Sequence, residues 1–442
     1  MNINTDNKKM RHYYKYFICK PKWKTFIAGL FAIVFLWLGS SHYFHLTPIQ
    51  LAKQGSRVII VPVFAKLYAE DKKSAELLRQ NSWIGESNVI SSSSLESWKH
   101  IEAQVPGFRF LGGNGSNENI QRDIPFIYES MNAQYLVELR EHYQLDQLIM
   151  EAPDEYHAML RLGAWVGTRW DHGIDPVPQG ITIPHPLDII QAGENGSKFW
   201  CEVAAKVTVN AATALGWPAR LVTASRDGYT WEHALAELWS NQHRKWFVMD
   251  TDFNIVYEAN GIPLSAFELC HNGLELQKTK QLYTREIAPP KPSLPLIDLL
   301  PFYRYIHIDL RNDWYSRRLR RGSPAGGDLA TWWTARPSFG NILTAKIRVD
   351  HQKKFDWPVN SVNIYARSLD SSQNPPLLNI GLFGYSPFFK TFQISVDDRT
   401  WHDTKSGHDS FHLLPGKHSV KARVMTMTEQ AGPVYEIQFQ FF

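Results

Sequence analysis

Cysteine is scarce in this chain: 442 residues hold three, Cys19, Cys201 and Cys270. That excludes a disulfide-built scaffold, and no Cys-x-x-Cys is present to suggest a zinc or redox motif. No His-Glu-x-x-His occurs; His233 and Glu237 lie four apart without a second histidine. Asp250-Thr251-Asp252 lacks the glycine and terminal glutamate of a calcium loop. Neither a Gly-x-x-x-x-Gly-Lys-Ser/Thr phosphate loop nor a Gly-x-Gly-x-x-Gly dinucleotide signature is found. The expectation is therefore an activity without cofactor or metal. Charge of one sign is also lacking. The net value is +4, which gives no general case for a nucleic-acid partner. There is no internal repeat, and only one long hydrophobic run.

That run lies near the start. Lys8, Lys9, Arg11, Lys15, Lys20, Lys22 and Lys24 precede it, with Asp6 the only acid. Phe26 to Gly39 is apolar, and Thr25 to Phe44 makes about 20 residues, enough for a helix to span about 30 Å of hydrocarbon. The alternative is a signal peptide cleaved near Ser40-Ser41. The long basic leader, with Trp37, Tyr43 and Phe44 suited to an outer interface, favours an uncleaved anchor. The reading is a cytoplasmic basic tail over 1–24 and a single transmembrane helix over 25–44. The bulk of the chain then lies outside the cytoplasm, periplasmic or at the cell surface. That compartment permits a Cys201–Cys270 disulfide, but Cys270 is read as a buried single thiol.

Aromatic residues are plentiful, 13% of the chain with 16 tryptophans, which argues for packed or binding surfaces rather than disorder. Residues 45–144 are read as an N-terminal extension packing on the core. It contains an extended apolar segment, Arg57 to Val63, a polar loop, Ser91 to Ser94, and a turn cluster, Gly112 to Ser116. Leu136 to Arg140 and Leu148-Ile149 suggest helices leading into a core at 145–287. Ala288-Pro289-Pro290-Lys291-Pro292-Ser293-Leu294-Pro295 reads as a stiff linker within a connecting segment, 288–339. Phe302 to Leu310 reads as a strand. The basic run Arg317 to Arg321 is either a solvated face or a contact for an anionic glycan or phosphate-bearing surface. Residues 340–442 read as all-β. Tyr435, Ile437, Phe439 and Phe441 alternate with polar residues, as do Val420, Ala422 and Val424, and Ile342 to Val349 and Val359 to Ala366 are further strands. Short strands with such turn punctuation indicate a sandwich.

The chemistry-bearing residues lie in the middle. Ala204, Val207, Thr208, Ala211 and Leu215 recur at helical spacing, with Gly216 as the stop. Ser197 is a plausible N-cap, which puts Cys201 in the first turns. A helix start favours the thiolate, the form that attacks carbonyls. His233 opens an alternating run, Ala234, Ala236 and Leu238 against Leu235, Glu237 and Trp239, as in a half-buried strand. After the polar turn Ser240 to Arg244, a second run, Lys245 to Met249, closes a hairpin and ends in Asp250. Antiparallel pairing brings His233 and Asp250 within reach of each other. A carboxylate there orients the imidazole, whose other nitrogen takes the thiol proton.

The segments Phe199-Trp200-Cys201, Leu215-Gly216-Trp217-Pro218-Ala219-Arg220, His233-Ala234 and Trp246-x-x-x-Asp250 together resemble the transglutaminase-like superfamily, which shares a papain-like cysteine-protease core. The resemblance covers roughly residues 145–260 and points to a membrane-anchored bacterial type. It implies an α+β fold: a papain/transglutaminase-like core with antiparallel sheet and N-terminal helices. It also implies a catalytic triad of Cys201, His233 and Asp250. The chain departs from the pattern at Phe199, where glycine is common, and at Thr251, where proline is common. Asp252 is thereby a rival for the third role, and Asp250 is preferred because it directly ends the strand. An oxyanion donor beside the Cys201 N–H is sought upstream, at Trp170 or Asn195. Asp397 to Trp401 and Leu414 to Arg423 resemble immunoglobulin-like modules of extracytoplasmic proteins.

The expected function is thiol acyl transfer on a peptide or protein amide, by hydrolysis or transamidation. The alternative is a catalytically idle scaffold that binds an envelope polysaccharide or protein. An envelope glycan is a further candidate partner.

Overall fold

The structure is a computed structural model. It describes residues 83–85, 94–114, 126–177, 185–226, 232–295, 297–314, 316, 330–334, 347–348 and 352–442. The expected basic tail and membrane anchor, the segment 57–63 and the basic run 317–321 lie outside these residues. Among the described residues no helix is long and apolar enough to cross a membrane. All of them fall in one unit, Val61–Phe442.

The fold mixes helices with largely antiparallel sheets. Chain order begins with β1 (Trp83–Gly85), α1 (Ser94–Gln104) and β2 (Phe108–Gly113). Five helices follow: α2 (Gln134–His142), α3 (Leu145–Met150), α4 (Glu155–Gly167), α5 (Pro186–Glu194) and α6 (Cys201–Ala214). Then come β3 (Ala219–Ser225), β4 (His233–Ser240), β5 (Lys245–Met249), β6 (Ile255–Ala259), β7 (Ile262–Pro263), α7 (Ala266–Lys278) and β8 (Leu282–Glu286). A 3-10 turn, Leu300–Arg304, leads to β9 (Tyr305–Asp309), β10 (Ala330–Thr334), β11 (Ile347–Arg348) and α8 (Gln352–Phe355). The last elements are β12 (Ser361–Asp370), β13 (Leu377–Tyr385), β14 (Phe389–Val396), β15 (His402–Thr404), β16 (His408–His412), β17 (Gly416–Thr426) and β18 (Tyr435–Phe441).

A central sheet in the order β11-β10-β9-β3-β4-β5 carries the core. Its two faces explain why β4 departs from the half-buried strand its alternation suggests. Ala234, Ala236 and Leu238 pack against α2, α4 and α6 on one face. Leu235 and Trp239 pack with Trp246, Val248 and α7 on the other. Every residue of β4 is buried, so alternation here separates two cores rather than core from water.

Helix α6 runs through the first core, with Val203 to Ala214 all buried. It ends by the local device its sequence encodes. Gly216 adopts φ +74°, its N–H donates to Thr213 O, and the Trp217 N–H donates to Ala212 O. This paired ending needs a left-handed residue, which glycine supplies without a Cβ penalty. Pro218 then releases the chain into β3, and its carbonyl accepts the Trp239 N–H at 2.9 Å. The segment read as a strand from Phe302 starts instead as the 3-10 turn, with Pro301 in its first positions, where a fixed φ and a missing N–H fit a helical start.

In the C-terminal part, β1-β13-β12, with β16 beside β13, forms one sheet and β15-β14-β17-β18-β2 another. The two share one apolar core that includes Ile364, Ile380, Phe392, Val420 and Phe439. The N-terminal extension contributes to this part: β2 pairs with β18, β1 pairs with β13, and the buried Trp98 of α1 donates its indole N–H to Ile364 O at 2.8 Å.

Candidate active site

Cys201 is the first residue of α6. Trp200 is the N-cap, with extended backbone and no side-chain cap; Ser197 lies ahead of it and belongs to the end of α5, where its N–H donates to Ala192 O. Within the described hydrogen bonds the Cys201 N–H has no acceptor, as expected for an N-terminal helix position. The thiol is partly exposed.

His233 starts β4, and Asp250 directly follows β5. The register pairs Ala236 with Met249, so the two side chains meet diagonally at one end of the hairpin. His233 Nε2 lies 2.6 Å from Asp250 Oδ2, and both side chains are buried. The carboxylate is held by its own turn: Asp250 Oδ1 accepts the N–H groups of Asp252 and Phe253, each at 3.1 Å. Phe253 stands edge-on to the imidazole at 5.4 Å and Phe302 flanks it at 6.2 Å. With Nε2 taken by Asp250, Nδ1 is left for the Cys201 sulfur, and the ligand atoms of thiol and ring lie within 4.8 Å of each other. Burial opposes charging of this imidazole, but the Asp250 carboxylate and the Cys201 sulfur outweigh it and hold His233 well above its ordinary value. A charged imidazole is the partner that a nucleophilic thiolate requires.

The two oxyanion candidates occupy different settings. Trp170 is buried, lies edge-on to Phe199 at 5.7 Å, and its indole N–H has no acceptor. A buried donor without a partner carries a desolvation cost. Asn195 is exposed and serves as the C-cap of α5 through its backbone.

Asp252, the rival carboxylate, is present beside the thiol but differently partnered. One ligand atom each from Cys201, His233 and Asp252 lie within 4.8 Å of one another. Asp252 binds His172 Nδ1 at 2.9 Å and the buried Lys291 Nζ at 3.4 Å. Lys291 also lies over the Trp170 ring, 5.7 Å from its centroid. These contacts bring in two segments whose role sequence reasoning missed. His172 is placed by a parallel bridge to Phe199. Lys291 belongs to the proline-rich stretch read as a linker; that stretch lies against the site, with Ser293 donating to Asp171 at 2.5 Å and Pro289 O accepting from Asn254. The spacing Asp250-x-Asp252 was the one local signal that a second carboxylate shares the turn.

The motif residues Arg220 and Trp246 lie elsewhere. Arg220 is fully buried, paired with Glu237 at 2.6 Å and Asp356 at 3.1 Å, and stacked near Trp246 and Trp357. It braces the sheet and does not reach the thiol's hydrogen-bonding partners.

No protein-family model matches the chain, and no curated protein matches it. Among solved structures, a transglutaminase of red sea bream is similar at 9% identity, with a TM-score of 0.24, over 77% of this chain and 78% of that one. A likeness that slight carries no argument about this protein.

Proposed function

We propose that this chain is a membrane-anchored, extracytoplasmic thiol acyl-transfer enzyme with a transglutaminase-like core and an immunoglobulin-like C-terminal sandwich. The observation that carries the reading is the 2.6 Å His233–Asp250 contact on an imidazole that lies within 4.8 Å of a helix-start cysteine. In this reading the Cys201 sulfur attacks the carbonyl carbon of a peptide or protein amide, and the carbonyl oxygen takes the negative charge. The Cys201 N–H and the Trp170 indole receive that oxygen. As the C–N bond breaks, His233 passes its proton to the leaving amine, which leaves a thioester on Cys201. Water or a second amine then attacks the thioester, gives its proton to His233 and releases the thiol. Asp250 keeps the ring oriented throughout and stabilises its charged form. Water gives hydrolysis, and an amine gives transamidation.

The experiment is labelling of the full chain with thiol-reactive peptide-amide probes. Cys201→Ala is expected to abolish labelling and turnover of an amide substrate. Undiminished turnover in that variant sinks the reading.

A further inference from the structure

The acyl-transfer reading gives one buried carboxylate beside the sulfur no catalytic task. Asp252 is 1% exposed and lies within 4.8 Å of both the Cys201 and His233 ligand atoms. Asp250 already orients the imidazole, and Asp252, although paired with Lys291 and His172, stands beside the sulfur. A metal ion between the two would attract both.

We infer that Cys201, His233 and Asp252 form a tripodal site for a zinc ion, whose occupancy switches the thiol off. Thiolate, imidazole and carboxylate are the three ligand types zinc takes, and three protein ligands with an open fourth position is a familiar zinc geometry. Zinc holds such ligands at about 2.0–2.3 Å, which puts neighbouring donors roughly 3.3–3.8 Å apart. The three ligand atoms lie within 4.8 Å of one another, so loading would draw each about 1 Å or more toward a common centre. The outer shell is already in place. Asp250 holds His233 by the far nitrogen at 2.6 Å, the carboxylate–histidine arrangement that fixes a metal-binding tautomer. His172 and Lys291 hold Asp252 at 2.9 and 3.4 Å. Loading needs no redox partner: a Zn–S, a Zn–N and a Zn–O bond form, waters leave the aquated ion in exchange, and the one proton that sulfur and imidazole share leaves to solvent. The loaded sulfur has no free pair directed at a carbonyl, so metal binding and acyl transfer exclude each other. The inference uses the same thiol and imidazole as the proposed function, but its test does not depend on turnover.

Zinc alone is titrated into the full, reduced, chelator-stripped chain against a chromophoric chelator, and cobalt(II) replaces zinc for spectroscopy. One zinc per chain is expected. Cys201→Ser and Asp252→Asn each weaken it at least tenfold, while Cys19→Ser and Cys270→Ser leave it unchanged. Cobalt is expected to give a thiolate charge-transfer band in the unaltered chain, a result that depends on no variant folding. Zinc should protect Cys201 from iodoacetamide, with chelator restoring alkylation. Absence of stoichiometric zinc, a cobalt spectrum without the thiolate band, or Asp252→Asn binding as tightly as the parent overturns the site. Fast alkylation and amide turnover with no zinc bound reject the metal and leave the enzyme reading standing. Zinc bound to a chain inert toward amide probes after stripping does the reverse.

Discussion

At the scale of single residues, two features of the site lend themselves to measurement. The Trp170 indole is a buried donor without an acceptor, and its ring is held by Phe199 and overlaid by Lys291. Trp170→Phe keeps an aromatic ring there and removes the N–H. Loss of one oxyanion donor costs about a hundred- to thousandfold in kcat, so steady-state kinetics should show that loss with KM little changed. Equal falls in kcat and in thermal stability would reassign Trp170 to packing. The second feature is the raised His233. A folded-state value above the unfolded one means that charging this histidine stabilises the fold. The contribution is complete below about pH 6.5, the unfolded value, and fades as pH climbs through the raised one. Asp250→Asn keeps an oxygen for the Asp252 and Phe253 N–H groups but removes the negative charge. Urea unfolding should therefore show a stability gap between parent and Asp250→Asn that is widest near pH 6 and narrows as the pH is raised. A gap independent of pH would show that the pair is not charged in the folded protein.

Among the elements, the turn that holds both carboxylates depends on how closely α4 approaches it. A Cβ on Gly167 would stand 1.8 Å from Asn254 Oδ1 and 3.2 Å from Thr251 O, and one on Gly163 would meet Met249 Sδ at 2.3 Å. The buried Asn254 side chain is tied by its other amide atom to Pro289 O and has little room to yield, so overpacking at Gly167 presses on the turn through Asn254. Gly167→Ala is expected to cost about 1–3 kcal/mol of stability and, through displacement of Asp250, to lower the alkylation rate of Cys201. A variant with reduced melting temperature and unaltered alkylation would uncouple α4 from the site. The same elements mark what the sequence makes legible. The end of α6 at Gly216 and Pro218 and the β4–β5 hairpin rest on local punctuation, so Cys201, His233 and Asp250 can be aligned from pattern alone. The partners of Asp252 cannot. His172 is 80 residues away and Lys291 is 39 away, and prolines around Lys291 read as a spacer because nothing local records what they pack against.

For the molecule as a whole, long-range pairing is the part that composition hides. Phe108–Gly113 adds a strand beside Tyr435–Phe441, more than 300 positions along the chain, and no periodicity in either strand names the other. The contact between the central sheet and the chain entering the C-terminal part is equally non-local and is made by charge. Arg220 in β3 binds Glu237, Asp356 and the Phe355 carbonyl, while Trp246 donates to Trp357 O at 2.8 Å. One guanidinium thus serves the buried Glu237 and the largely buried Asp356. Burial pushes Asp356 up, Arg220 pulls it back and Glu237 pushes again, leaving it at about 7. Since the folded state holds this proton more tightly than the unfolded chain, stability falls as pH rises from about 4 to about 7 and stays lower above that. Asp356→Asn retains a hydrogen-bonding side chain for Arg220 and Ser265 without the second charge. Its melting temperature should therefore exceed the parent's at pH 8, by about 2–4 °C for each kcal/mol recovered, with the difference closing toward pH 5. By contrast Arg220→Met strands two carboxylates in the interior and should cost about 3–5 kcal/mol. If Asp356→Asn instead destabilises equally across that range, the ion cluster is a fully charged clamp, and the two parts of the chain are joined without a shared proton.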